Sequence, residues 1–197
     1  MKISIQHITP NAESLLSECA AICYNSDTSN PGRNTKRLGK IIASGHLSVL
    51  RFAHAVIRIE GISRACSHQV VRHKHLDYLQ RSQRYCSEEL AGPIIPDQWD
   101  VTSPAAKARA STYLATARSL YQQLLKDGWR KEDARYFLPQ AMETELMVVG
   151  NFQAWRDFIK LRTDRAAQWE IRAVAQEIKH QLARHAPITF GGIIDDR

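Results

Sequence analysis

The sequence predicts an α/β (α+β) chain with a central mixed or antiparallel sheet flanked by long helices. Three observations carry that prediction. Short stretches such as Lys2–Ile8 and residues 54–62 alternate apolar and polar residues, as half-buried strands do. Longer stretches, above all Pro104–Lys126, repeat their apolar residues with helical period. Turn formers separate the two kinds, and no internal repeat or low-complexity segment interrupts them.

In order, Lys2–Ile8 is the first strand. After Pro10 and Asn11, residues 12–23 read as a helix with Leu15, Leu16, Cys19 and Cys23 on one face. Residues 25–34, with Pro31 and Gly32, read as a loop, and a short helix over 35–44 is closed by Gly45. In the strand over 54–62, Ala55, Ile57 and Ile59 oppose His54, Val56, Arg58 and Glu60. Ser63 can cap a helix running to about Val71. Residues 91–96 form a turn-rich connection. The long helix over 104–126 turns Tyr113, Ala117, Leu120, Leu124 and Leu125 inward and stops at Gly128. A short helix over 131–137 carries Arg135 and breaks before Pro139. A strand over 143–149 follows, then a helix opened by Asn151 and running through Leu161, and a last helix over 165–184.

A chain of 197 residues is long enough for one good core, and a single domain over 1–197 is the expectation. No apolar run approaches the ~20 residues that span a bilayer, and the N-terminus lacks a signal pattern. A cytoplasmic protein with no membrane partner is expected. The formal charge of +7 favours anionic partners. The basic residues are spread along the chain without a nucleic-acid-binding motif; nucleotide cofactors and a nucleoside monophosphate would explain the same bias as nucleic acid, and charge alone does not choose between them. Neither GxxxxGK[ST] nor GxGxxG occurs, which sets aside P-loop and Rossmann sites. Cys19, Cys23, Cys66 and Cys86 give no paired CxxC spacing, and no metal site is expected.

One stretch concentrates polar chemistry. Residues 69–85 bring Arg72, Lys74, Arg81 and Arg84 together with Gln69, Gln80, Ser82, Gln83, Tyr78 and Tyr85. Such a segment is too polar for a core strand, and it lacks the Gly and Pro of a flexible linker. It reads as an ordered anion-binding loop, since guanidinium forks match phosphate or carboxylate oxygens two at a time, and charge alone leaves a solvated basic loop as the alternative. The order Arg72-His73-Lys74, then Ser82-Gln83-Arg84-Tyr85, resembles the signature of the flavin-dependent thymidylate synthases. The approach through Gly45-His46-Leu47-Ser48 and Gly61 to Gln69 is similar to that family too, and the resemblance covers most of the chain.

The resemblance implies roles. His46 and Ser48, after a glycine turn, match flavin-contacting positions, as do Arg72, His73, Lys74 and Asn151. Gln80, Gln153 and Asp157 belong to the same cofactor-binding set. Gln69, Gln80, Ser82, Gln83, Arg84 and Arg135 match positions that hold the nucleotide. Ser82 is a nucleophile by type, but no base is identifiable beside it, and it is read as a phosphate-binding hydroxyl. Arg162 matches the group that bonds the uracil carbonyl, where its charge would stabilise electron density on the ring, which makes it the catalytic residue. Several positions depart from the family pattern: Lys74 and Gln153 stand where Arg is usual, and Arg51-Phe52 where Glu-His is usual. Asp77 and Leu79 fall where small polar residues are common. Residues 167–172, taken by their chemistry alone, read as helix packing with surface ion pairs. For Arg135 the plain alternative is a helix-surface salt bridge with Glu132 or Glu145.

The implied reaction is reductive C5 methylation of dUMP to dTMP, with FAD as cofactor and NADPH and 5,10-methylenetetrahydrofolate as co-substrates. The implied assembly is a homotetramer whose sites draw on several subunits. Two alternatives stay open: a diverged enzyme modifying another pyrimidine nucleotide such as UMP, and a non-catalytic nucleotide or nucleic-acid binder.

Overall fold

Alternation in the strands becomes a four-stranded, wholly antiparallel sheet in the computed structural model, which describes residues 1–88, 92–96, 100 and 102–193. The strands are β1 (Lys2–Ile8), β2 (His54–Ser63), β3 (Leu76–Gln80) and β4 (Glu143–Asn151), in the order β1-β2-β4-β3. Ala55, Ile57 and Ile59 of β2 are fully buried beside Leu146 and Val148 of β4, as period-two alternation requires. Each Ile, Leu or Val among them contributes about 1.5–3 kcal/mol by leaving water. The opposite face of the sheet is polar, with Arg58 donating to Glu145 at 2.7 Å. Gly61 (φ +70°) sits at the irregularity in the β2–β4 register between Glu60 and Ile62.

The helices are α1 (Ala12–Ile22), α2 (Pro31–Ala43), α3 (Arg64–Val70), α4 (Pro104–Lys126), α5 (Lys131–Ala134), α6 (Phe152–Arg162), α7 (Trp169–His185) and α8 (Pro187–Phe190). Trp155, Phe158, Ile171, Val174, Ile178 and Leu182 of α6 and α7 join the strand residues in one hydrophobic cluster. The Trp155 indole N–H reaches the Ala55 carbonyl at 3.2 Å, tying α6 to β2. Among the described residues no helix is long and apolar enough to cross a membrane.

Several sequence expectations are corrected. The buried face of α1 is Leu16, Ser17, Ala20 and Ala21, whereas Leu15 is 36 % exposed and Cys23 is exposed. α2 begins at Pro31 inside the expected loop, because Asn30 accepts from the Arg33 N–H and proline suits the first helical turn. The inward face of α4 is Ala117 and Tyr121, while Tyr113 (61 %) and Leu120 (40 %) face outward. A 23-residue helix there has little sheet beneath it, so its apolar face lies open in the isolated chain. The last long helix starts at Trp169, and the short α8 after it was not anticipated. Part of the expected polar loop is β3, an edge strand: Leu76 is buried, and Asp77 and Leu79 face out. An edge strand with one buried face tolerates the polarity that a core strand could not. A Cβ on Gly150 would collide with Leu76 Cδ2, so β3 can pair so closely only across a glycine. Ala91, the first residue of the expected turn-rich connection, lies outside the described residues.

Candidate functional site

The short helix α3 is fixed at both ends. At its start the Ser63 hydroxyl accepts from the Cys66 N–H (3.0 Å) and donates to Glu170 Oε2 (2.6 Å), while the Ser63 N–H donates to Glu170 Oε1 (2.7 Å). Glu170 is therefore buried and bonded, not part of a surface ion pair as its helical context suggested. At the far end Arg162 Nη2 donates to the Gln69 carbonyl at 3.0 Å, and Tyr78 donates to the His73 carbonyl at 2.8 Å.

Three groups of expected site residues result. The first surrounds the end of α3 and the face of α6. His73 stands edge-on to Phe158, with ring centroids 5.4 Å apart. Burial, with Arg162 adding to it, holds His73 below its ordinary pKa, although the Ala154 backbone and Asp157 oppose the shift. The ring is thus neutral near pH 7 and able to donate as well as accept. Arg162 lines a depression of about 630 Å³ with Asp157, Lys160 and Ala167, and its Nε is buried without a hydrogen bond. Asn151 Oδ1 caps α6 by accepting from the Ala154 N–H at 2.9 Å, which leaves both protons of its amide nitrogen for a ligand. Gln153 closes on Asp157, donating to both carboxylate oxygens at 3.0 Å. Arg72 and Lys74 are exposed, and neither makes an ion pair among the described residues. Two unengaged cations beside a neutral imidazole fit the charged diphosphate and the polar ring of a flavin.

The second group lies at the start of α3. Arg64, His68, Gln83 and Arg135 line a depression of about 370 Å³ with Tyr136 and Leu138. Burial lowers the Arg64 pKa, with Arg135 and Arg81 adding to the effect and Glu88 opposing it. Glu88 is fully buried 3.9 Å from Arg64, and burial raises its pKa against the pull of Arg81 and Arg64. Arg64 and Arg81 thus share one reluctant carboxylate while Arg135 repels Arg64, and an added anion would relieve that repulsion. Arg84 donates to Glu132 Oε2 at 2.8 Å. Arg135 reaches only the Glu132 carbonyl (3.1 Å), and Glu145 belongs to Arg58, so the surface salt bridge considered for Arg135 does not form. Ser82 Oγ accepts from the Arg84 N–H at 3.2 Å. Gln80 points inward, donating to Ser67 Oγ (2.8 Å) and Thr144 Oγ1 (3.3 Å).

Sequence reasoning missed Arg64 and His68. Their i, i+4 spacing behind the Ser63 cap put them on one helix face, a signal present in the sequence; what faces them, Arg135, was not. The third group is His46 and Ser48. His46 walls a separate depression beside α2, and Ser48 is exposed in the 3₁₀ turn Leu47–Phe52. These three depressions share no residue, so the expected site residues do not converge on one pocket within a single chain.

Comparison with known proteins adds an independent line. The family described as thymidylate synthase complementing protein matches residues 4–188. A flavin-dependent thymidylate synthase of Geobacter sulfurreducens is 38 % identical over 199 residues, covering 96 % of this chain and 85 % of its own. One from Mycobacterium tuberculosis is 38 % identical over 185 residues, covering 85 % of this chain and 74 % of its own. Among solved structures, the UMP/dUMP methylase PolB of Streptomyces cacaoi, bound with 5-Br dUMP, shares the fold. Its TM-score is 0.83 at 19 % identity, over 98 % of this chain and 96 % of that one.

Proposed function

The chain belongs to the thymidylate synthase complementing protein family, that of the flavin-dependent thymidylate synthases, and on that premise we propose that it converts dUMP to dTMP. The carbon comes from 5,10-methylenetetrahydrofolate, and NADPH is the reductant for bound FAD. The observation that carries the reading is the depression of Arg64, His68, Gln83 and Arg135, an anion receptor of nucleotide-phosphate character. Ser82 and Arg84 flank it, and Arg81 adds charge from beneath.

Bound flavin supplies the hydride that completes the methyl group. The chain's residues bind, orient and polarise. Arg72, Lys74 and the neutral His73 hold the cofactor, with His46, Ser48 and Asn151 contributing contacts. Gln69 and Arg162 face the pyrimidine, and the Arg162 guanidinium stabilises negative charge on the ring carbonyl as C5 becomes nucleophilic. Cys66, the cysteine on α3, is no candidate nucleophile: it is buried, and desolvation pushes its thiol pKa far up.

The separation of the three groups supports a site completed from several copies, and the assembly proposed with the reaction is a cytoplasmic homotetramer. The open apolar face of α4 and the 76 % exposed Leu79 are surfaces such copies would cover. A second reading, action on UMP or another pyrimidine nucleotide, draws support from the closed Gln153–Asp157 pair, where the family usually offers an arginine. The test is a visible spectrum of the protein with FAD, then anaerobic NADPH, then dUMP or UMP, with product analysis. Flavin reduction and methylation of dUMP are expected. Methylation of UMP alone would move the assignment to the second reading, and failure to bind flavin would end both.

A further inference from the structure

The depression beside α2 holds chemistry that the methyl transfer has not used. Arg33, Lys36, Arg37 and Lys40 line it, and their spacing sets them along one face of the helix over about 10 Å. Its volume is about 630 Å³, and no carboxylate lines it. α2 itself contains no acidic residue. The carboxylate that acts on Arg33 and Arg37 is Asp27, which is turned onto its own bend: it accepts from the Ser29 N–H (2.9 Å) and hydroxyl (2.8 Å). Those two bonds hold Asp27 below the usual carboxylate range, with Arg33 and Arg37 contributing less.

Arg37 is preset, donating to Asn34 Oδ1 (2.9 Å) and to the Asp27 carbonyl (2.8 Å). Arg33, Lys36 and Lys40 make no ion pair among the described residues. A convex solvated face would mix its charges, because like charges one helical turn apart repel. A concave row of four cations instead suits a linear anion with charges repeated at about the helical pitch. The exposed Tyr24 offers a flat apolar edge, and His46 closes the end toward Ser48.

We propose that this face of α2 binds the linear anionic tail of a co-substrate whose head reaches the flavin past His46. The inference rests on the proposed reaction, which consumes two anionic co-substrates. A γ-linked oligoglutamate on the folate and the phosphates of NADPH share the required chemistry.

The experiment uses the FAD-loaded protein and its Lys36→Gln/Lys40→Gln variant, which alters two exposed side chains. Binding of labelled tetra-γ-glutamate and labelled 2′,5′-ADP is read by fluorescence anisotropy at low and high salt. The wild type binds one probe in a salt-sensitive way, and the variant loses roughly tenfold in affinity. In turnover, KM rises by the same factor for the co-substrate carrying that tail. Monoglutamyl folate, or NADH in place of NADPH, shows no such rise. A response to oligoglutamate identifies the folate tail, and one to 2′,5′-ADP identifies the reductant. Equal binding by both proteins, binding of neither probe, or a preference for single-stranded RNA over both overturns the tail site. Turnover with no response at Lys36 and Lys40 removes this inference alone, whereas a wild type that never binds flavin removes the parent reaction and the tail assignment with it.

Discussion

Arg64 and Arg72 stand at the two ends of α3, yet they are prepared for anions in opposite ways. Arg64 is half-buried among Arg81, Arg135 and Glu88, and its Nη2 donates to the Arg81 carbonyl at 2.8 Å. Arg72 projects into solvent and makes no ion pair among the described residues. The first cation has already lost its conformational freedom during folding, so an arriving phosphate does not have to order it. The second must be ordered by its ligand or by a neighbouring copy. On the proposed function, the nucleotide end would be built into the chain and the flavin end left for assembly to finish.

The largest effect is expected at Arg162, which holds the Arg72 end of α3 through the Gln69 carbonyl. Arg162→Ala should lower kcat by roughly 100- to 1,000-fold, the scale for removing one preorganised charge from a reacting oxyanion. The flavin spectrum should be unchanged; full activity in that variant would exclude Arg162 from the mechanism. Next is the support of α3. Glu170→Ala strands the Ser63 N–H in the interior and should cost about 2–4 kcal/mol, read as a fall in Tm. A Tm equal to wild type would mean the pair does not anchor the helix.

The comparison itself is tested by two matched changes. Arg64→Gln should weaken nucleotide binding by about 2–3 kcal/mol and leave flavin affinity intact. Arg72→Gln should weaken flavin by only about 1–2 kcal/mol, since an exposed side chain gives part of its bond back as ordering entropy. The reverse ranking in calorimetry would break the contrast. The smallest effect concerns His73. Its folded pKa lies below the ordinary imidazole value, so the unfolded chain binds a proton that the folded one refuses. Stability should fall as pH drops below about 6.5 and level off beneath the folded pKa, while His73→Gln should flatten that part of the profile. An identical slope in the two proteins would assign the pH dependence elsewhere.

Local rules were enough for much of the chain. The alternation in Lys2–Ile8 and β2, the caps at Ser63 and Asn151 and the stop at Gly45 (φ +75°) each depend on a few neighbouring residues, and the sequence by itself determined them. The polar segment around Arg72-His73-Lys74, with Ser82 to Tyr85, was also enough to mark the family. Its shape was not legible, because pairing Leu76–Gln80 with β4 depends on Gly150, about seventy residues away. Helix faces failed where the neighbour was missing: periodicity fixes which residues of α4 share a face, but only contact decides which face is covered. The carboxylate of Glu170 looked like surface charge until α7 placed it against Ser63. Arg135 gained its meaning in the same way, from Arg64 and His68 facing it across a gap that no local rule describes. Chemistry-bearing residue types were readable because they are covalent facts. Their convergence belongs to the tertiary structure, because long-range contacts are set by packing across the whole core rather than by the order of residues along a segment.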